Sequence, residues 1–417
     1  MDEFAAFVGW DWADKEHQIC LCKAGSANNE QRAIKATPEA LHEWAAQMRL
    51  RFGGKPVAVG IEMGRGGVIW ALMAYEHIVL YLINPCASAN FRRAFHVSGK
   101  KDDPVDADTL CEMVQKHHHK LRAFAPADAA TRELGLLGEN RRKFVNDKTR
   151  VINREGAHLK TYYPQALELA GDLGRPMACA FLERWPTLEA AKRARPATIR
   201  QFYLDHHCRS QEKIDKRLEL IKQSVPLTQD VAVVEAGRVQ TLALVGVVSA
   251  LIESIALLDE RMETVYRDHL EHDWIESFPG VGPVMGPRLL AILGVDRSRF
   301  ATANELQCFT GVAPITVSSG GTDGSKVVIR RLRRSKFVHQ TVVEWAGLFC
   351  QFSEWGRAYY ARESEAGRPR WAILRSLGFK LLRILFRCWQ SRTNYSEETY
   401  QTALKLRGSP LAAQLAA

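Results

Sequence analysis

Residues 56–63 read Pro-Val-Ala-Val-Gly-Ile-Glu-Met. The apolar run with Val57, Val59 and Ile61 predicts a buried strand, and Glu62 stands at its end. Upstream, Ala5–Trp10 predicts a first short strand with Asp11 just past it. His17–Lys23 predicts a second strand after an Asp14-Lys15 turn, and Gln31–Ala36 a third. Thr37-Pro38 opens a helix, Thr as N-cap and Pro at the first helical position, and Gly53-Gly54 ends it. Downstream, Gly64–Gly67 leads into a helix through His77. Ile78–Ile83 is another apolar strand, stopped by Asn84-Pro85. Helices follow around Ser88–His96 and Pro104–His117.

Three strands followed by alternating helix and strand is the ribonuclease H-like arrangement. In that fold the ends of the first and fourth strands are neighbours, and the last helix packs beside them. Asp11 and Glu62 then meet Asp103 and Asp106, which lie three apart and share one side of that helix. Carboxylates brought so close need a counter-cation. Two Mg²⁺ ions about 3.5–4 Å apart satisfy this, with Mn²⁺ as the alternative ion, and they stabilise attacking and leaving oxygens in phosphoryl transfer. Asp14, Asp102 and Asp108 are nearby competitors, and Asp102 replaces Asp103 if the helix register shifts by one.

The middle of the chain, from about Pro126 to His269, is helical and charged. Arg141–Tyr163 is a basic amphipathic helix ending at Pro164. Leu244, Val248, Leu251, Ile255, Leu258, Met262 and Val265 alternate steps of four and three, a heptad seam. Such a seam packs either within the chain or against another protomer. The last part holds Pro279-Gly280-Val281-Gly282, a tight turn between apolar segments as in a helix-hairpin-helix, or else a plain helical turn. Pro287 is awkward for a continuous helix there. The fold class is α/β plus mostly α, in three domains: 1–125, 126–270 and 271–417.

The chain has 417 residues and a net charge of +10. From Ser325 onward there are 17 Lys and Arg against 6 Asp and Glu, so this last quarter carries the whole positive excess. That distribution points to a local polyanion surface. The Ser318-Ser319-Gly320-Gly321 loop is followed directly by Lys326, Arg330, Arg331, Arg333, Arg334 and Lys336. A loop hydroxyl beside guanidinium groups suits attack on a phosphodiester, although such a loop is also an ordinary turn. Further on, Arg375, Lys380, Arg383 and Arg387 are interleaved with aromatics and suit a nucleic acid backbone. Met1-Asp2-Glu3-Phe4 lacks the basic start of a signal peptide, and Leu242–Leu258 is short for a bilayer span and carries Glu253. Nine scattered cysteines read as reduced thiols in a cytoplasmic protein, and His117-His118-His119 as a solvated helix end rather than a metal site. No Walker A signature is present.

Gly9-Trp10-Asp11, Gly60-Ile61-Glu62 and Lys101-Asp102-Asp103-Pro104-Val105-Asp106-Ala107 resemble the N-terminal motifs of the DEDD-type insertion-sequence transposases, the IS one-ten family. The first domain of that family is similar to the Holliday-junction resolvase RuvC. Phe278–Pro283, Arg299-Phe300, Gly311–Pro314 and Ser319-Gly320 resemble its C-terminal domain. The tail, with Glu344-Trp345-Ala346 and Leu385–Trp389, is most similar to the IS eleven-eleven-like branch. The resemblance implies a recombinase that excises and inserts a mobile element. It implies guidance by a bridge RNA that pairs with donor and target DNA, and a homo-oligomer, dimer or tetramer, whose protomers share active sites. It further implies Asp11, Glu62, Asp103 and Asp106 as Mg²⁺ ligands and Ser319 as a nucleophile forming a covalent serine–DNA intermediate. Asp102 departs from the usual Thr or Asn, Met285-Gly286-Pro287 departs from an Ala-like run, and Ser318 stands directly before Ser319. The alternatives are a structure-specific endonuclease using the four acids and water, and a non-catalytic nucleic-acid-binding protein.

Overall fold

Five strands form one sheet: β1 (Ala6–Asp11), β2 (Glu16–Lys23), β3 (Asn29–Lys35), β4 (Val57–Ile61) and β5 (Ile78–Leu82). Their order is β3-β2-β1-β4-β5. β1 runs antiparallel to β2 and parallel to β4, and β4 is parallel to β5. Helices α1 (Pro38–Arg51), α2 (Gly67–Leu72), α3 (Pro85–Phe95) and α4 (Asp103–His117) connect or cover the strands. The order of elements is the one expected from the sequence. In this computed structural model the described residues are 3–62, 66–95, 103–318, 326–331 and 334–415. The chain divides into two units, Met1–Pro126 and Ala127–Ala417.

Side chains alternate across a strand. Ala6, Val8 and Trp10 of β1, with Val57, Val59 and Ile61 of β4, join a core with Trp44 of α1 and Ile69 of α2. Phe7 and Ala58, on the other face, pack with Leu110, Cys111 and Val114 of α4. Thr37 caps α1 as expected, accepting from the Ala40 amide. Two boundaries differ from expectation. α2 stops at Leu72, not His77; His77 is buried and its Nε2 meets the Ala45 carbonyl at 2.9 Å, holding the chain as it turns into β5. α3 begins at Pro85, because the Asn84 side chain accepts from the Cys86 amide (2.8 Å) and so starts a helix where it ends a strand.

The second unit is built on α5 (Ala129–Leu159). Then come α6 (Ala166–Ala170), α7 (Pro176–Arg184), α8 (Leu188–Arg193), α9 (Pro196–Asp205), α10 (Gln211–Gln223) and α11 (Val231–Arg267). The remainder is α12 (His272–Glu276), α13 (Met285–Leu293), α14 (Ala303–Thr310), β6 (Ile315–Ser318), β7 (Lys326–Ile329), α15 (Lys336–Phe352), α16 (Glu354–Glu365), α17 (Arg370–Ser391), α18 (Glu397–Leu406) and α19 (Pro410–Leu415). α5 starts twelve residues before the expected Arg141, capped by Asp128 on the Thr131 amide. Gly135 and Gly138 interrupt the sequence pattern there, but both are buried, and a Cβ on Gly138 would lie 3.0 Å from the Phe337 ring.

The heptad seam packs within the chain. Leu244, Val248, Ile255, Met262 and Val265 are buried, and α11 lies along α5. Both helices reach two cores. Leu159, Val245 and Val248 join the middle helices around Tyr163 and Phe181. Leu134, Met262 and Val265 join the C-terminal core around Trp345, Phe349 and Trp389. α11 has the length and apolar composition of a membrane span, whereas the apolar run Leu242–Leu258 read from the sequence is too short for one; 28% of the helix's most apolar stretch is buried. Pro287 causes no break, because it is the third residue of α13 and its position has no intrahelical N–H bond to lose.

Candidate active site and nucleic-acid surface

The acids are placed by a repeated local pattern, Gly-x-acid. Residues two apart on a strand face the same way. Gly9 therefore shares a face with Asp11, and Gly60 with Glu62; the two glycines are partners in the parallel β1–β4 register. Helix α4 lies directly on them. A Cβ on Gly9 would stand 1.9 Å from the Ala107 carbonyl oxygen and 2.3 Å from the Cys111 nitrogen, and one on Gly60 2.4 Å from a Val114 methyl. The missing side chains let the helix settle onto the sheet. Its first turn carries Asp103 and Asp106, where the helix N-terminus favours negative charge.

Asp11, Glu62, Asp103 and Asp106 line one pocket of about 390 Å³, with Trp12, Ser88, Arg92 and Thr109 also in its wall. The four predicted acids are thus brought together. Two further polar residues come from α3 and were not anticipated. Ser88 is buried and donates to Glu62 Oε1 at 2.5 Å. Arg92 is ion-paired with Asp106. They lie four residues apart, so one face of α3 supplies both. The signal for them was the i, i+4 spacing on a helix entering beside Glu62; no motif contains them.

The pocket's oxygen-rich lining fits a hard divalent cation. As the side chains stand, no group of three or more His, Cys, Asp or Glu among the described residues is drawn tightly enough to hold an ion. Arg92 is the one Lys or Arg lining the pocket among the described residues.

Ser319 lies outside the described residues, as do Asp102 and Arg333. β6 and β7 on either side form an antiparallel pair in which Ser318 faces Lys326. Arg330 and Arg331 follow β7, and Arg331 reaches Cys308 Sγ at 3.6 Å. Arg375 of α17 is held below the usual arginine range by burial, then by Arg330, Arg334 and Arg368. His339 of α15 is pushed down to about 4, first by burial and then by Arg334 and Arg375. Arg330, Arg334 and Arg375 have no ion pair among the described residues, and Arg330 and Arg334 stand close enough to Arg375 to depress it. Lys336 is exposed at the start of α15. Lys380, Arg383 and Arg387 are exposed along one side of α17, with Lys380 5.5 Å from the Tyr359 ring centre and Arg383 5.6 Å from that of Phe379.

Behind the Pro279–Gly282 turn, Arg288 is buried. Its guanidinium meets Glu344 Oε2 at 2.8 Å and Thr341 Oγ1 at 2.9 Å, and Arg142 of α5 takes Glu344 Oε1 at 3.0 Å. This network ties α5, α13 and α15 together.

A mixed α/β sheet unit with four acids in one pocket, joined to a mostly helical remainder, is consistent with a DEDD-type transposase. The profile described as DEDD_Tnp_IS110, transposase, matches residues 8–164. A second, described as the transposase IS116/IS110/IS902 family, matches residues 272–361. The chain belongs to the IS110 family of transposases. It is 29% identical to the "Mini-circle putative transposase for IS117" of Streptomyces coelicolor over 410 residues, 95% of this chain and 97% of that protein. It is 25% identical to the insertion element IS900 uncharacterized 42 kDa protein of Mycobacterium paratuberculosis, over 95% of this chain and 98% of that one. The insertion element IS110 uncharacterized 43.6 kDa protein of S. coelicolor is 25% identical over 71% of this chain and 72% of its own. The family implies DNA substrates and a divalent metal.

Proposed function

We propose that this transposase is a DNA recombinase that excises and inserts a mobile element through a covalent serine–DNA intermediate. The observation that carries the reading is the meeting of Asp11, Glu62, Asp103 and Asp106 in one pocket of a transposase chain. These acids would hold Mg²⁺, two ions or the Mn²⁺ equivalents, which supply charge stabilisation at the reacting phosphate. Ser319 is the nucleophile. Its Oγ loses a proton and bonds phosphorus, the P–O3′ bond breaks, and the leaving 3′-oxygen is protonated. The serine ester keeps the phosphodiester energy, so a 3′-hydroxyl can reverse the step without ATP.

The nucleic-acid surface comprises Lys326, Arg330, Arg331, Arg333, Arg334, Lys336, Arg375, Lys380, Arg383 and Arg387. The arginine cluster beside the β6–β7 pair supports this. Donor and target DNA are selected by a bridge RNA, and the chain works as a homo-oligomer in the bacterial cytoplasm. The three domains proposed are 1–125, 126–270 and 271–417.

The test is adduct mapping. Wild-type protein with element-end DNA and Mg²⁺ should yield a protein–DNA adduct on Ser319 by peptide mass spectrometry, and Ser319→Ala none. An adduct on Ser318 moves the nucleophile by one residue. Cleavage without any adduct, unchanged in Ser319→Ala, refutes the serine step in favour of a nuclease using the acids and water.

A further inference from the structure

We infer that Arg92 is a resident counter-ion of the acidic pocket that competes with the divalent cation for Asp106 and releases it when DNA phosphate arrives. The inference rests on the proposed metal-binding role of the four acids.

Four carboxylates face one pocket, and like charges so placed need neutralising. Among the described residues that line the pocket, one positive side chain serves this, the guanidinium of Arg92 on Asp106. The pair is well shielded, with side-chain exposures of 25% and 16%. A partly buried carboxylate does not give up its counter-ion without cost. A guanidinium on Asp106 and a divalent cation on the same carboxylate would stand as like charges within one small pocket. One must leave before the other is comfortable. Ser88 differs: it is neutral, it holds Glu62 from one turn earlier on α3, and it can stay while an ion binds.

The displaced guanidinium remains on α3 at the pocket wall, where a DNA phosphate would be its natural partner. Metal and DNA then bind cooperatively, because each removes a reason for Arg92 to hold Asp106. Empty pockets are guarded, and the metal site fills in the presence of substrate.

Full-length protein is titrated with Mn²⁺, read by electron paramagnetic resonance of the unbound ion, with and without duplex DNA. Wild type should bind Mn²⁺ more tightly when DNA is present, after the ion bound by the same DNA alone is subtracted. Arg92→Ala should bind it roughly tenfold more tightly than wild type without DNA, and DNA should add little further. Arg92→Lys, which keeps the charge, should stay near wild type. Equal or weaker Mn²⁺ binding by Arg92→Ala overturns the inference. If Arg92→Ala does not fold, the wild-type titration decides: no gain in Mn²⁺ affinity with DNA overturns the inference, and a gain supports it. Failure of the metal reading itself looks different: wild type then shows no Mn²⁺ binding that Glu62→Gln removes.

Discussion

Gly9→Ala adds one methyl at the contact between β1 and α4. The new Cβ would sit 1.9 Å from the Ala107 carbonyl oxygen and 2.3 Å from the Cys111 nitrogen. Both are backbone atoms, so no rotamer change relieves the clash. To reach ordinary contact α4 must back away by about 1.5 Å near Ala107, an overpacking that costs about 1–3 kcal/mol or more. Asp106 is the next residue to Ala107, and Asp103 lies one turn earlier, so the displacement passes straight to two acids. A misplacement near 1 Å costs a reacting site about a hundredfold in rate. The local assay is thiol labelling followed by peptide mass spectrometry. Cys111 is buried on the face of α4 that packs on the sheet, its Sγ 3.3 Å from the Phe7 carbonyl. In Gly9→Ala it should label faster, with weaker Mn²⁺ binding and little strand transfer. Gly60→Ala should be milder, because its new methyl meets a Val114 side chain first. Wild-type labelling and Mn²⁺ affinity in Gly9→Ala would refute the claim that the glycine contact sets the acids.

Other perturbations probe separate parts of the chain. Glu344→Ala leaves buried Arg288 without its carboxylate and should cost about 3–5 kcal/mol in urea denaturation; replacing Arg288 and Glu344 together by Met should recover much of it. Glu155 is buried on α5, and burial pushes its carboxyl up to about 7. Between the ordinary carboxylate range and about 7 the folded chain holds a proton that the unfolded chain has lost, so stability falls as pH rises through that window. Glu155→Gln should abolish this slope and gain up to about 3 kcal/mol over wild type at pH 8, measured by thermal melts across pH. Replacing Arg330, Arg334 and Arg375 by Gln should weaken DNA binding and lower the slope of log affinity against log salt by about 0.9 for each lost phosphate contact. An unchanged slope would place the DNA footprint elsewhere.

Much of the N-terminal unit was legible because its signals are local. Short apolar runs named β1 and β4, and Thr37-Pro38 named the start of α1. The positions of Asp11, Glu62, Asp103 and Asp106 follow from strand ends and helix spacing, and they do share a pocket. Ser88 and Arg92 had no signal beyond their i, i+4 spacing, because their partners are 26 and 14 residues away and appear only once the sheet has closed. The early start of α5 was hidden for a related reason. Gly135 and Gly138 look like helix breakers in isolation, yet both are buried, and Gly138 packs against Phe337 almost two hundred residues later in the chain. The heptad seam could not choose its partner from spacing alone. α5 turns out to fill that place, which a periodic pattern in α11 cannot encode.

The same physics explains why glycine and acid recur as a pair in this pocket. A metal-binding acid at a strand end is useful when a second set of acids approaches from the covering helix. A helix on a sheet ordinarily keeps its distance, because side chains intervene. Removing the side chain two residues before the acid lowers the helix on the face toward which the acid points, since both have the strand's period of two. Doing so on two paired strands, at Gly9 and Gly60, lowers the helix evenly across both. Packing and chemistry are therefore set by the same two positions. A change that fills either space should loosen the core and separate the carboxylates together, and no substitution at the acids themselves should reproduce the packing defect.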